Sequence, residues 1–300
     1  MNWTETAQAH HLPDGRLRLT NGPIDVIIQL EGPVAAQRAA RRRAWSAFPP
    51  LLEDLVAELP RLRAGSGPAP TGDVARRMHE AVSCFAGVFV TPMAAVAGAV
   101  ADHLLSAMLT PGHGLSRAAV NNGGDIALWT GEAPFRIAIC EDPKTGAMGA
   151  RARIAPHDGI GGVATSGWRG RSHSLGIADA VTVLARDAAT ADAAATLIAN
   201  VVDLPGHPAI ARAPANSLSP DTDLGARLVT TSVAALSAAD RRTALVNGLG
   251  RARDYLSRGV ISAACISCQG ERVSTGGAVT IPADRTIQNT SNRQKDLTHA

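Results

Sequence analysis

Apolar and polar residues alternate along residues 16–30, on both sides of an Asn21-Gly22 pair. Alternation with a period of two is typical of half-buried strands, and Asn-Gly is a strong hairpin signal. Residues 34–59 instead carry apolar side chains at helical spacing, and Pro49-Pro50 should break that helix midway. The pattern therefore predicts a β-hairpin followed by a broken helix.

The rest of the chain switches between the two periods at irregular intervals. Helices are predicted over 73–85, 93–109, 188–201 and 237–256, and strands over 118–121, 125–130, 135–140, 163–167, 179–184 and 226–233. A Gly/Pro-rich loop is expected over 63–72, a turn-rich stretch over 141–162 and an irregular excursion over 203–224. Because helices and strands interleave irregularly, the sequence predicts an α+β class rather than a doubly wound sheet. We expect a single large domain over 1–282 and a polar, disordered tail over 283–300.

Composition narrows the class of protein. Hydrophobic residues make up 45% of the chain and charged residues 18%, which is typical of a folded protein. Aromatic residues make up only 3%, which argues against the stacking platforms that bind single-stranded nucleic acid. The net charge of +3 is small. We therefore expect no nucleic-acid partner.

Membrane and targeting signals are not seen in the sequence. No window of about 18 residues is apolar enough to span a bilayer, and the N-terminal residues lack a basic start followed by an apolar stretch. The four cysteines among 300 residues then favour a reducing compartment, so we expect a cytoplasmic protein. Cys265 and Cys268 form a CxxC pair without a second pair to complete a four-cysteine zinc site. Two partly buried thiols are the simpler interpretation.

The segment TADAAAT at 190–196 combines alanines, the best helix formers, with Asp192 and Thr196. Residues four apart lie on the same face of a helix, so these two side chains can direct oxygen atoms to one point. Oxygen ligands are those that Mg²⁺ prefers. An Asp and a Thr at this spacing are more often ordinary surface residues, so the metal interpretation depends on neighbouring motifs.

A first such motif is VNNGGDI at 120–126. Its residues Asn122, Gly123, Gly124 and Asp125 allow a sharp turn that exposes backbone N–H groups to an anion or a ring edge. The alternative is a tight hairpin turn, which Asn, Gly and Asp favour for local reasons.

A second motif is VATSG at 163–167, in which Thr165, Ser166 and Gly167 can approach a phosphate closely. A plain loop between a strand and a helix is the alternative, and the lysine of a P-loop does not follow. His173 lies six residues further on and is a candidate base for a hydroxyl nucleophile. A lone histidine is more often structural.

The order and spacing of these motifs resemble the ApbE superfamily, the family of FAD:protein FMN transferases. Those proteins show an NxGGDI loop, an ATSG loop, a following histidine, a VTV-like strand and a TAD…AT helix. The matching stretches here are VNNGGDI (120–126), VATSG (163–167), His173, AVTV (180–183) and TADAAAT (190–196). AVAGAVAD (95–102) also matches a family segment ending in GyavD, with Gly98 and Asp102 in register. The stretches TPMAAVAGAVAD (91–102) and HSLGIADAVTV (173–183) are similar to the uncharacterised UPF0280 branch.

The resemblance implies a fold with antiparallel sheets and packed helices. It also implies that Asp192 and Thr196 hold Mg²⁺ against the pyrophosphate of FAD, while the GGDI and ATSG loops cradle the nucleotide. His173 would be the base or a positioning group as a Ser or Thr hydroxyl of an acceptor protein attacks and AMP leaves. A homo-oligomer is compatible with this assignment.

Two departures from the family pattern leave alternatives open. The family histidine begins an H-x-x-D-P-x-T-G segment that is absent after His173, and Ala97 stands where the family has a lysine. A changed pocket favours a divergent, hydrolase-type enzyme of the superfamily that acts on a small non-flavin substrate. A non-catalytic flavin-binding protein is the third interpretation.

Overall fold

The computed structural model describes residues 6–142 and 146–280. The strands within these residues are β1 (Gln8–His11), β2 (Leu17–Asn21), β3 (Ile24–Glu31), β4 (Arg117–Asn122), β5 (Asp125–Thr130), β6 (Phe135–Asp142), β7 (Ala147–Ile154), β8 (Gly162–Ser166), β9 (Ala180–Ala185), β10 (Ile210–Pro214), β11 (Leu228–Val233), β12 (Ala263–Cys268), β13 (Glu271–Thr275) and β14 (Val279–Thr280). The helices are α1 (Val34–Ala47), α2 (Leu51–Ala57), α3 (Leu59–Leu62), α4 (Asp73–Ser83), α5 (Val96–Met108), α6 (Ala188–Val201), α7 (Ala215–Leu218) and α8 (Ala238–Ser257), with a 3₁₀ turn at Pro92–Ala95 leading into α5.

Nine strands form one sheet in the order β1-β2-β3-β4-β5-β8-β9-β12-β13. Every pairing in it is antiparallel. Sheet neighbours are also consecutive strands of the chain, except where β6 and β7 intervene before β8 and where β10 and β11 intervene before β12. The predicted α+β class with antiparallel sheets and packed helices is confirmed.

Small residues let the helices pack closely on one face of this sheet. A methyl group added to Gly162, at the start of β8, would lie 2.1 Å from the backbone carbon of Asp187, the N-cap residue of α6. A methyl group added to Gly98 of α5 would lie 2.2 Å from the carbonyl oxygen of Ala188 in α6. The first turn of α6 is therefore in backbone contact with both β8 and α5.

A three-stranded sheet, β14-β7-β6, covers part of the other face. Its apolar side chains form a second core with β5, β8, β9 and β12, which includes Leu128, Ile139, Ile154, Val163 and Leu184. The turn-rich stretch predicted over 141–162 is wrong, because β7 occupies Ala147–Ile154. Its Ala, Gly and Arg residues have low strand propensity, and pairing with β6 and burial on the core override that propensity.

Other differences have similar causes. The excursion predicted over 203–224 contains β10 and α7, which pack against β11 and the loops around it. Strand β12 is buried at every position, so it shows no alternation of apolar and polar residues. The tail predicted at 283–300 and the domain limit at residue 282 lie outside the described residues. None of the described helices combines the length and apolarity needed to cross a membrane.

Cys265 and Cys268 both lie on β12, three residues apart, so they face opposite sides of the sheet. Cys265 is buried under the three-stranded sheet and Cys268 under the helices. The Cys268 thiol donates to the Ile177 carbonyl oxygen at 3.7 Å, and burial raises its pKa to about 12. The CxxC pair therefore does not converge on one point, which agrees with the interpretation as buried thiols.

Candidate functional site

Helices α5 and α6 each place a carboxylate at the N-terminus of the other. Asp102 of α5 accepts hydrogen bonds from the Ala188 and Ala189 N–H groups of α6 at 3.0 and 2.8 Å. Asp192 of α6 accepts one from the Gly98 N–H of α5 at 3.1 Å. The first N–H groups of a helix lack intrahelical partners, and this end of the helix dipole favours negative charge. The crossing of the two helices thus fixes both carboxylates.

A third carboxylate, that of Asp125, lies at the start of β5 and faces Asp192. It is 9% exposed and accepts a hydrogen bond from the Thr165 N–H at 3.3 Å. Burial raises the pKa of Asp125 to about 7, against the opposing effects of the Thr165 N–H and the Arg171 guanidinium. Burial, followed by the charge of Asp125, raises the pKa of the Asp192 carboxyl well above its usual range. Both carboxyls are therefore poorly solvated, and Asp125 is close enough for its charge to act on Asp192.

Two hydroxyl groups meet one helical turn beyond Asp192, that of Thr196 on α6 and that of Ser166 on β8. Thr196 Oγ1 donates to Ser166 Oγ, at the end of β8, at 3.4 Å. Thr165 is directed differently: its Oγ1 lies 2.8 Å from Thr182 Oγ1 on β9, its register partner. Ser166 and Thr196 thus face the space between the sheet and α6, whereas the Thr165 hydroxyl is bonded within the sheet.

The segment at 122–125 is a tight hairpin turn between β4 and β5. Gly123 and Gly124 have φ angles of 68° and 113°, which glycine adopts without strain. The turn also has a tertiary role, because the side-chain N–H of Asn122 donates to the Ala97 carbonyl oxygen at 3.1 Å. The hairpin interpretation is therefore right, and the same turn sets Asn122 beside the N-terminus of α5.

Residues 167–179 connect β8 to β9, so the expected loop between a strand and a helix is instead a connection between strands. Gly167 allows this connection to close, since a methyl group there would lie 2.5 Å from the Asp179 carbonyl oxygen. His173 Nε2 lies 3.1 Å from Ser219 Oγ, just after α7. Within the described chain no hydrogen bond or ion pair joins His173 to the carboxylates of the site.

The site consequently presents oxygen atoms from three parts of the fold. Asp125 comes from β5, Ser166 from β8, and Asp192 and Thr196 from α6. This donor set suits a hard cation such as Mg²⁺. No group of three or more His, Cys, Asp or Glu side chains suited to a metal ion occurs in the described parts of the chain. A cation at this place would therefore be held by two carboxylates together with hydroxyl groups.

Two cavities lie elsewhere, beside α4 and α5. One of about 240 Å³ lies between α2 and the start of α4, and an open groove of about 510 Å³ runs along α4 and α5. Asp73 and His103 line both. Neither cavity is lined by a residue that the sequence predicted for the site.

The sequence predicted five of the polar residues at this site and missed Arg171. The five are Asn122, Asp125, Ser166, Asp192 and Thr196. The Arg171 guanidinium group lies against Gly123, where an added methyl group would be 1.9 Å from Nη2. An exposed arginine in the polar stretch WRGRSHS gives no periodic or motif signal. Asp102 was noted only as a match to a family segment, and its hydrogen bonds to α6 explain why an acid stands there.

Fold and site together define a mixed α+β protein with an acidic, oxygen-lined site between an antiparallel sheet and a helix pair. A family model described as AbpE bacteria matches residues 9–275, and the chain belongs to this family. The resemblance of the motifs to the ApbE superfamily and its UPF0280 branch is thereby confirmed.

The chain is also similar to curated relatives and, more distantly, to solved structures. The chain is 42% identical over 130 residues to a UPF0280 protein of Methanothrix thermoacetophila, an alignment that covers 43% of this chain and 52% of the relative. A UPF0280 protein of Archaeoglobus fulgidus is 38% identical over 137 residues, covering 44% and 51%. The chain thus spans about half the length of the curated relatives it matches. Similarity to the Pseudomonas stutzeri flavinyl transferase ApbE is 14% in sequence with a TM-score of 0.45, over 92% of this chain and 96% of that one. The Thermotoga maritima ApbE protein is 15% identical in sequence with a TM-score of 0.42, over 92% of this chain and 97% of that one.

Proposed function

We propose that this protein binds Mg²⁺ and FAD, or a related flavin nucleotide, at the site between β5, β8 and α6. It transfers FMN from that nucleotide to a Ser or Thr hydroxyl of an acceptor protein. The observation that carries the proposal is the approach of Asp125 to Asp192 together with the hydrogen bond between Thr196 and Ser166, one helical turn further along. The ordered motifs and the family membership support the flavin part.

The residues present fit a divalent cation. Asp192 and Thr196 would hold Mg²⁺, with Asp125 as a further carboxylate. Burial raises the pKa of both carboxyls, and the charge of Asp125 raises that of Asp192 further; an opposite charge between them would stabilise their charged forms. When bound, Mg²⁺ supplies positive charge that offsets the charge of the phosphate groups.

The protein's own residues orient the site. The N–H groups at the start of α5 hold Asp192, and the Asn122 side chain holds the β4–β5 turn against the same helix. In this proposal Gly123, Gly124 and Gly167 allow the backbone to approach the nucleotide closely. His173 takes the part of base or positioning group only if the acceptor hydroxyl reaches the side of the site near Ser219.

AMP release tests this proposal. The protein is incubated with FAD, Mg²⁺ and candidate acceptor proteins, and AMP and protein-bound flavin are measured together. Two site variants are compared, Asp192→Ala and Thr196→Val. Asp192→Ala also removes the cap of α5, whereas Thr196→Val removes one oxygen atom and keeps the shape of the side chain. Glu53→Ala, at an exposed position of α2, is the control and should keep the wild-type rate. Equal AMP release from wild type and both site variants contradicts the proposal.

A specific contact favours a second candidate, a hydrolase of a small non-flavin substrate. His173 Nε2 and Ser219 Oγ are 3.1 Å apart, within the distance at which an imidazole activates a hydroxyl nucleophile. Turnover of a chromogenic ester that survives EDTA and is lost in both Ser219→Ala and His173→Ala would favour this candidate. Tight FAD binding without any turnover would instead favour a flavin-binding protein.

A further inference from the structure

Arg171 lies at the edge of the acidic site, and its position depends on a glycine. Nη2 of its guanidinium group would be 1.9 Å from a methyl group at Gly123, so the absent side chain is what makes room for it. The residue is exposed. In the described part of the chain the Arg171 guanidinium makes no hydrogen bond or ion pair. Its N–H donors are therefore available to a ligand.

The charges around Arg171 show where it acts. Burial raises the pKa of Asp125 and the charge of Arg171 opposes this, while on β3 the pKa of Asp25 is lowered mainly by Arg18 and further by Arg171, so Arg171 lies near both carboxylates. Asp25 already has a bidentate partner, Arg18, at 2.9 and 2.7 Å. Arg171 therefore contributes a positive charge at the edge of a site whose other ionisable groups are acids.

The helix N-termini at this site are already occupied by carboxylates and are not available to a substrate anion. An open helix N-terminus is a common phosphate site. Here the N-terminus of α6 is occupied by Asp102 and by its N-cap residue Asp187, and that of α5 by Asp192. Neither helix end therefore has free N–H groups directed at a substrate anion, which leaves side chains, a metal ion or the backbone of the glycine turns to bind it.

We infer that Arg171 binds a phosphate group of the substrate beside Gly123, at the mouth of the acidic site. The inference rests on the proposed function, because it names a contact of that same substrate. A guanidinium group suits this role because its planar N–H donors match two phosphate oxygens at once. Arg171 is then a residue that selects an anionic, phosphorylated substrate over an uncharged one.

Calorimetric titration with two probes tests the inference. Mg²⁺ alone and pyrophosphate in the presence of Mg²⁺ are titrated into wild type, Arg171→Gln and Arg171→Lys. We expect Arg171→Gln to weaken pyrophosphate binding by about tenfold, and Arg171→Lys by less, because lysine keeps the charge but not the two-pronged geometry. Mg²⁺ alone should bind Arg171→Gln as tightly as wild type or a few times tighter, since a neighbouring positive charge is gone. Arg242→Gln, an exposed arginine on α8, is the control and should change neither affinity.

The inference predicts that Arg171→Gln weakens pyrophosphate binding but not Mg²⁺ binding. A purely structural role of Arg171 would weaken both ligands, and that result overturns the inference. Undiminished pyrophosphate binding by Arg171→Gln overturns it as well, while leaving the proposed function intact. Absence of Mg²⁺ binding by the wild type contradicts the proposed function itself, whereas metal-free pyrophosphate binding that depends on Arg171 supports the inference alone.

Discussion

Gly98 and Ala188 are in direct backbone contact: a methyl group at Gly98 would lie 2.2 Å from the Ala188 carbonyl oxygen. At this contact Asp102 reaches the first turn of α6 and Asp192 reaches the first turn of α5. The distance between the two helices therefore fixes where both carboxyls lie. The geometry of the site therefore depends on the lack of a side chain at Gly98.

Gly98→Ala should lower the free energy of unfolding by about 3 kcal/mol, because the two helices must separate to accept the methyl group. Urea denaturation of wild type and variant measures this change. The control is Gly250→Ala on α8, where no atom lies within 4 Å of the new methyl group. Alanine in that open helical position should raise stability by up to about 1 kcal/mol. Equal effects of the two substitutions would contradict the close contact.

Asp102 should make stability fall as the pH rises from about 4 to about 7. Burial raises the pKa of this carboxyl from 3.8 to about 7, so over that range the folded state binds more protons than the unfolded state. The stability advantage of wild type over Asp102→Asn should be largest below about pH 4 and smaller by up to about 4 kcal/mol at pH 8. Urea denaturation at several pH values measures the difference.

Asp240 provides the control of opposite sign for this pH series. The pKa of this partly exposed residue in the first turn of α8 is lowered, chiefly by its hydrogen bond with Ser237. Its contribution is present above the usual range of an aspartate and is lost as the pH falls below that range. If the stability advantage of the wild type over Asp102→Asn grew with pH, Asp102 would instead act as a charged cap.

Mg²⁺ should raise the melting temperature of the wild type, and EDTA should reverse the effect. At a concentration 100 times the Kd, binding stabilises the folded state by about 2.7 kcal/mol, or about 5 °C for a chain of this size. Thr196→Val and Asp192→Asn should each lose most of this shift, because each removes an oxygen ligand. Thr243→Val on α8 removes an exposed hydroxyl and should keep it. Equal shifts in all variants would place the cation elsewhere.

Gly123→Ala should weaken pyrophosphate binding more than Gly124→Ala. Both glycines have positive φ angles, so alanine strains the turn at either position. Only at Gly123 does the new methyl group meet Arg171, since nothing lies within 4 Å of it at Gly124. Comparing the two affinities by calorimetry isolates the displacement of Arg171 from the strain of the turn. Equal losses would indicate that the turn alone matters.

Local signals predicted much of the fold. The Asn21-Gly22 pair marked the β2–β3 hairpin, and Pro49-Pro50 marked the break between α1 and α2. Strands β7 and β12 could not be found this way. The first has poor strand formers that pairing and burial stabilise, and the second is buried on both faces. Their formation depends on contacts distant in sequence, which a local pattern does not encode.

The site was predictable to the extent that helical spacing and hairpin turns defined it. The same-face spacing of Asp192 and Thr196 and the tight turn at 122–125 were visible in the sequence. The approach of Asp125 to Asp192, and the position of Arg171, are tertiary facts set by glycine contacts. The roles predicted for His173 and Thr165 stay predictions, and both side chains have hydroxyl partners, Ser219 and Thr182.

The β6–β7 hairpin leaves the large sheet after β5 and returns at β8, the very strand that pairs with β5. By connectivity it is a detachable insert, since a short linker from Thr130 to Gly162 would preserve every neighbour in the nine-stranded sheet. By packing it is a cover, because Leu128, Val163 and Leu184 lie under it. A chain shortened in this way would keep its order of strands but expose the apolar face that the hairpin covers, so the hairpin is needed for burial and not for the topology of the large sheet.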